Sequence, residues 1–404
     1  MGILFKDELH DEFGTWALGF IPYGGADFGE VQAVARAVGD GDDGAFYRAW
    51  TDAGDRIAER ARDALAAGRR ETARDAFLRA AGHYASAYHP LFGSPVDPRL
   101  LAAFRKQIAA FDRGLALLDP PVAPLRIPFE GGSMPAYFLP ASGRSHQVRP
   151  LVILTDGYDA TVTEMYFASA VAASRRGYHC LFFDGPGQGE MLFEHGIHLR
   201  PDWESVVAPV VDFALQIDVV DPKRIALIGW SLGGYLAPRA ASGEPRLAAC
   251  VADPGLFGIA EQVRKLLAAA GATPHAIASL EGIDDATIER LEQMQQRDAH
   301  LRWSLSKRGF WVHGVETMRD YLDSARAYTL AGRVESIACP TLLTRAENDP
   351  LASDAPEFLD ALRCPKALID FSAAEGAGTH VEGFNRSLLN ARVFDWLDGV
   401  LAAG

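Results

Sequence analysis

From residue 123 onward the chain predicts an α/β fold: a doubly wound, mostly parallel sheet with an N-terminal helical domain in front and a helical cap insertion within it. Three observations predict this. Short, largely apolar runs (PLVILT, YHCLFFD, RIALIG, LAACVAD, PTLLTR and KALIDF) alternate with helical stretches such as EMYFASAVAASRRG and ESVVAPVVDFALQI. That is the pattern of strands buried on both faces and joined by right-handed crossovers. Residues 27–118 follow a different rule, with apolar side chains every three or four positions on Ala-rich, charged segments. The strand–helix alternation then lapses between Asp253 and Cys339, where QVRKLLAAAG, IERLEQMQQ and ETMRDYLDSARAYTLAG read as helices placed to cover a site.

In chain order, AFYRAWTDAGDRIAERARDAL and RETARDAFLRAAGHYASAY are the first two clear helices. DPRLLAAFRKQIAAFDRGLALL is the third, opened by Asp97 as N-cap and Pro98 at the first helical position, where a missing N–H costs nothing. The Pro-rich DPPVAPLRIP ends this part, so the helical domain is set at 1–122. RIPFEGG and MPAYFLP read as an antiparallel pair that starts the sheet. The catalytic core takes 123–254 and 335–404, with the cap insertion at 255–334. No internal repeat or low-complexity tract interrupts this plan.

The composition bounds the function. At 404 residues, 49% hydrophobic and 23% charged, the chain has the make-up of a globular protein with a sizeable core. A net charge of −14 argues against nucleic acid as partner, because phosphates require a basic face. The charged opening MGILFKDELHDEFG does not read as a secretory signal, Lys6 spoils a myristoylation signal, and no apolar run reaches membrane-spanning length. The four scattered cysteines read as reduced thiols of a cytoplasmic protein. The expected partner is a small-molecule substrate, with no membrane, metal or cofactor. A nicotinamide or flavin site is not expected, because the DGPGQGE loop has no acidic ribose ligand in a fitting context after it.

The chemistry centres on RIALIGWSLGGYLAPRAA, Arg224 to Ala241. A strand ends at Gly229, Ser231 follows two residues later and a helix starts at once. A serine on so sharp a turn exposes its hydroxyl above the sheet, and the crowding two residues either side explains Gly229 and Gly233. A G-x-S-x-G match alone means little among 39 glycines; the strand before it and the helix after it give it weight. With the chain order serine, acid, histidine expected on such a sheet, only His380 of the 11 histidines lies beyond His313, in the small-residue loop AAEGAGTHVEGF. For the acid, Asp349 stands in a turn after the PTLLTR strand. Glu347 is two residues away, and Asp253, at the end of LAACVAD, is the rival one strand earlier. Two N–H groups are expected to face the developing oxyanion: that of Leu232, and that of Tyr158 in the loop after LVILT.

Together with DGPGQGE (Asp184 to Glu190), these segments resemble one branch of the α/β hydrolases. It contains 2,6-dihydroxypseudooxynicotine hydrolase, fungal polyketide-shortening hydrolases and fermentation–respiration-switch-like esterases. The likeness runs over most of the chain, although the loop reads DGYDA where relatives tend to carry a Gly-Gly-Leu-Asp-like sequence. It implies a triad of Ser231, Asp349 and His380 and a homodimer. It further implies hydrolysis of a C–C bond in a β-diketone or aryl ketone, or a carboxylesterase. Asp184 and Glu190 are expected to shape a turn beside the site. By the same likeness the helical domain would lend His83, Tyr84 and Tyr88 to the substrate pocket, with interdomain packing as the alternative. The cap aromatics Trp303, Phe310 and Trp311 read either as lining of an apolar pocket or as core packing, and Asp253, where it is not the acid, as a structural cap or a pocket residue. A scaffold used for cyclisation or ligand binding is the competing class, and a haloalkane dehalogenase is excluded by serine at the nucleophile position.

Overall fold

The computed structural model describes residues 2–402. Its sheet has eight strands: β1 Pro124–Phe129, β2 Gly132–Leu139, β3 Arg149–Thr155, β4 His179–Phe183, β5 Val220–Trp230, β6 Ala249–Asp253, β7 Thr341–Ala346 and β8 Lys366–Phe371. They lie in the order β1-β2-β4-β3-β5-β6-β7-β8. The β1–β2 and β2–β4 pairs are antiparallel and the rest of the sheet is parallel. β4 and β6 are buried along their whole length, as continuous apolar runs require. KALIDF departs from the expectation of a strand buried on both faces. It is the edge strand β8, and most of its side chains keep contact with water.

Five helices precede the sheet: α1 Glu8–Gly19, α2 Phe28–Val38, α3 Asp43–Ala66, α4 Arg70–Ser86 and α5 Pro98–Leu115. Asp97 caps α5 by accepting the Arg99 N–H, with Pro98 in the first turn. The periodicity missed α1. Its inward face carries His10, Phe13, Gly14, Thr15 and Ala17, a mixture of polar and very small residues rather than an apolar stripe.

Between β6 and β7 the chain runs through helices Ile259–Ala269, Pro274–Ser279, Asp285–Arg297 and Met318–Ala325 and several shorter turns. This insertion and the N-terminal helices share an aromatic core. Trp303 packs on Phe13 and Phe92 with ring centroids 4.6 and 5.7 Å apart, and Trp311 packs on Phe92 and Phe193 at 5.3 and 5.4 Å. The four cysteines are all unpaired. Among the described residues, no helix is long and apolar enough to cross a membrane.

Candidate active site

β5 delivers Ser231 into a turn from which helix Gly233–Ala241 departs. Ser231 sits at φ +60°, a left-handed conformation that costs a non-glycine residue on the order of 1 kcal/mol or more. The strain is held from below, where the Ser231 N–H donates to the Asp253 carbonyl at 2.7 Å. The flanking glycines are steric necessities. A Cβ at Gly229 would lie 1.8 Å from the Gly233 carbonyl oxygen, and one at Gly233 would lie 2.7 Å from that of Thr155. Gly229→Ala is therefore expected to destabilise the fold by on the order of 3 kcal/mol, because backbone must move to admit the methyl. A lowered urea midpoint at unchanged slope reads this out; a wild-type midpoint would show that the turn yields freely.

Two loops meet the serine. His380 lies beyond β8, with Nε2 3.0 Å from the Ser231 hydroxyl and Nδ1 2.7 Å from the Asp349 carboxylate. Asp349 is buried and stands in the turn after β7, where its other carboxylate oxygen accepts the Leu351 N–H. Burial opposes the imidazolium, but the Asp349 carboxylate outweighs it and holds the His380 pKa above the ordinary histidine value. A serine hydroxyl bonded to an imidazole whose far nitrogen is held by a carboxylate can surrender its proton to that imidazole.

The rival acids are occupied elsewhere. Asp253 accepts the Thr344 hydroxyl at 2.9 Å and pairs with buried Arg386 at 3.2 Å. Arg386 also donates to the Val381 carbonyl at 2.6 Å, so Asp253 anchors the histidine loop rather than touching the imidazole. Glu347 accepts the Ala373 N–H on the surface.

On the other side of Ser231 lies the loop after β3. Gly157 packs so closely that a Cβ there would be 2.6 Å from the Leu232 nitrogen. Among the described residues, no protein acceptor takes either the Leu232 or the Tyr158 N–H. Burial pushes the Asp156 carboxyl well above its usual range, and Glu164, Asp184 and Asp159 add to the effect. Asp159 is compensated by Arg308 at 2.8 Å. The Tyr158 side chain points away into the insertion, its hydroxyl 2.6 Å from His313 Nε2. In DGPGQGE, Asp184 accepts the Val162 N–H at 2.9 Å and Glu190 pairs with Arg126, both structural contacts.

A cavity of about 450 Å³ opens over Ser231 and His380. Its walls are Thr15 and Trp16 of α1, Phe20 just after it, Trp230, and Val381 and Phe384 beyond the histidine. Ile3 closes the rim, because the Asp11 carboxylate accepts the N–H groups of Ile3, Leu4 and Phe5 at 2.7, 2.7 and 2.8 Å and folds that segment onto α1.

The expected pocket residues at the end of α4, just beyond it and in the cap do not line this cavity. Tyr84 is buried with its hydroxyl on Asp55 at 2.7 Å, and the Tyr88 hydroxyl donates to Gln107 at 2.8 Å. His83 is fully buried beside Trp50, and that burial lowers its pKa to about 4. Trp303 donates from its indole to the His89 carbonyl at 2.9 Å within the aromatic core, where Trp311 also packs; Phe310 lies against Tyr321. Asp253 lies beneath the site, held by Arg386. The physical reason is common to them: α4 is an inner helix, wholly covered by its neighbours near its end, whereas α1 occupies the cavity edge.

A model of the Alpha/beta hydrolase family matches residues 156–384. Hydrolase acrC of Aspergillus aculeatus is 34% identical over 97% of this chain and 96% of its own length. A 20-hydroxy-prefusarin hydrolase of Gibberella moniliformis is 35% identical over 95% and 94%. Among solved structures, 2,6-dihydroxy-pseudo-oxynicotine hydrolase superposes with a TM-score of 0.74 at 23% identity, covering 96% of each chain, a likeness of fold. The chain belongs to the alpha/beta hydrolase family and is a hydrolytic enzyme.

Proposed function

We propose that this enzyme is a serine hydrolase that cleaves an apolar carbonyl compound by acyl transfer to water, with Ser231 as nucleophile, His380 as general base and Asp349 orienting it. The observation that carries this reading is the hydrogen-bonded line Ser231–His380–Asp349, 3.0 and 2.7 Å between partners, whose first two members face the cavity. His380 takes the Ser231 proton as Oγ attacks the carbonyl carbon, and the oxyanion accepts from the Leu232 and Tyr158 N–H groups. Collapse expels the leaving group, which the imidazolium protonates. Water, deprotonated by the same histidine, then releases the acid.

The bond is proposed to be a C–C bond of a β-diketone or aryl ketone. That preference rests on the resemblance carried by DGPGQGE and is compatible with the relative named for a prefusarin substrate. The leaving group would be an enolate or electron-rich aryl carbon, which His380 protonates on carbon. A screen pairing p-nitrophenyl esters with β-diketones and acylphenols, read by product mass, tests it. Hydrolysis of a diketone into acid and ketone is the expected result. Rapid ester turnover with untouched diketones would make the enzyme a carboxylesterase instead.

A further inference from the structure

DGPGQGE is the most specific motif of the sequence, yet the reaction written above uses none of its side chains. Its fifth residue, Gln188, is 1% exposed. Its carboxamide is fully engaged: Oε1 accepts the Gly185 N–H at 2.9 Å, and Nε2 donates to the carbonyls of Asp156 and Gly157 at 2.7 and 3.1 Å. Those two carbonyls belong to the peptides on either side of Gly157, and both peptides are trans. In a trans peptide the C=O and the following N–H point in opposite directions. Holding the Gly157 oxygen towards Gln188 therefore aims the Tyr158 N–H the other way, and holding the Asp156 oxygen does the same for the Gly157 N–H.

Such a constraint is needed because of what sits there. Position 157 must be glycine to approach the Leu232 nitrogen, where a Cβ would come within 2.6 Å. A glycine places almost no restriction on its own φ and ψ, so the closeness that brings the loop to Ser231 also frees its peptide planes to turn. The neighbouring side chains hold only the outer end of the loop: Tyr158 on His313 at 2.6 Å and Asp159 on Arg308 at 2.8 Å.

We infer that Gln188 is a positioning residue for the reaction, locking the peptides around Gly157 so that the Tyr158 N–H faces the oxyanion. The inference rests on the serine-hydrolase reading above. Gln188→Met keeps the length and loses the amide; Gln188→Glu keeps an acceptor for the Gly185 N–H and loses both donors. Each is expected to lower kcat on a p-nitrophenyl ester by roughly ten- to a hundredfold with KM little changed, short of the hundred- to thousandfold that follows loss of a whole oxyanion donor. Labelling by a fluorophosphonate, in which Ser231 Oγ displaces fluoride from phosphorus as His380 takes the proton, should slow in parallel. A role in folding alone would lower the melting temperature and leave kcat per labelled site unchanged.

Wild-type enzyme labelled in this way and crystallised supplies an arm that needs no variant. The phosphoryl oxygen is expected between the Leu232 and Tyr158 N–H groups, with Gln188 still on both carbonyls. A phosphoryl oxygen turned elsewhere, or a folded Gln188→Met enzyme with wild-type kcat and labelling rate, overturns the inference. Wild-type enzyme that is not labelled at all overturns the serine-hydrolase reading instead.

Discussion

Ser231→Ala is expected to lower kcat by about 10⁶, to the level that an oxyanion site and substrate binding sustain without a nucleophile. The fold should survive, because among the described residues the Ser231 hydroxyl bonds to His380 alone, while its backbone N–H, which holds the turn, is retained. Alanine also tolerates φ +60° no worse than serine does. Unchanged circular dichroism and melting temperature, together with complete loss of fluorophosphonate labelling, are the readouts. A variant that keeps more than a trace of activity would place the nucleophile elsewhere.

Asp349→Asn is the second large effect, expected at about 10⁴ in kcat, since an amide in that place favours the imidazole tautomer that cannot accept the serine proton. The pH dependence sharpens the test. In the proposed mechanism neutral His380 is the reactive form, so kcat/KM is expected to rise as pH passes upward through the His380 pKa. The Asp349 carboxylate holds that pKa above the ordinary value, which puts the acid limb of the wild-type profile above that of a free histidine. Removing the charge should move the limb of the residual activity to lower pH. An unmoved limb, with activity little changed, would assign the orienting acid to another residue. The neighbouring Asp253 gives the contrast: its partners are Thr344 and Arg386, so Asp253→Asn should act through stability first.

The α/β hydrolase fold was readable in the sequence because its demands are local and severe. A carbonyl 1.8 Å from a would-be Cβ leaves only glycine at 229, and such constraints leave marks in any sequence that obeys them. The turn at Asp349 and the loop at His380 were likewise marked by following apolar strands, and the structure brings both into hydrogen-bond line with Ser231. The cavity wall left no such mark. In α1 the buried positions include His10, Gly14 and Thr15, and Gly14 is small because Phe5 lies directly on it, so hydrophobic periodicity is broken. Tyr84, Tyr88 and Trp303 misled for the converse reason. Aromatic side chains suit a pocket and a core equally, and only tertiary packing separates the two. Gln188 was invisible as an individual, since a side-chain bond to main-chain carbonyls some thirty residues away has no pattern in sequence.

The wall formed by Thr15, Trp16 and Phe20 comes from a stretch that ends well over a hundred residues before the matched family region begins at 156. Part of the wall that would read a substrate's shape thus lies far in sequence from the proposed bond-breaking residues, while Trp230, Val381 and Phe384 lie among them. Substitution of Thr15, Trp16 or Phe20 is expected to change which molecule is admitted while the Ser231–His380–Asp349 line keeps its geometry.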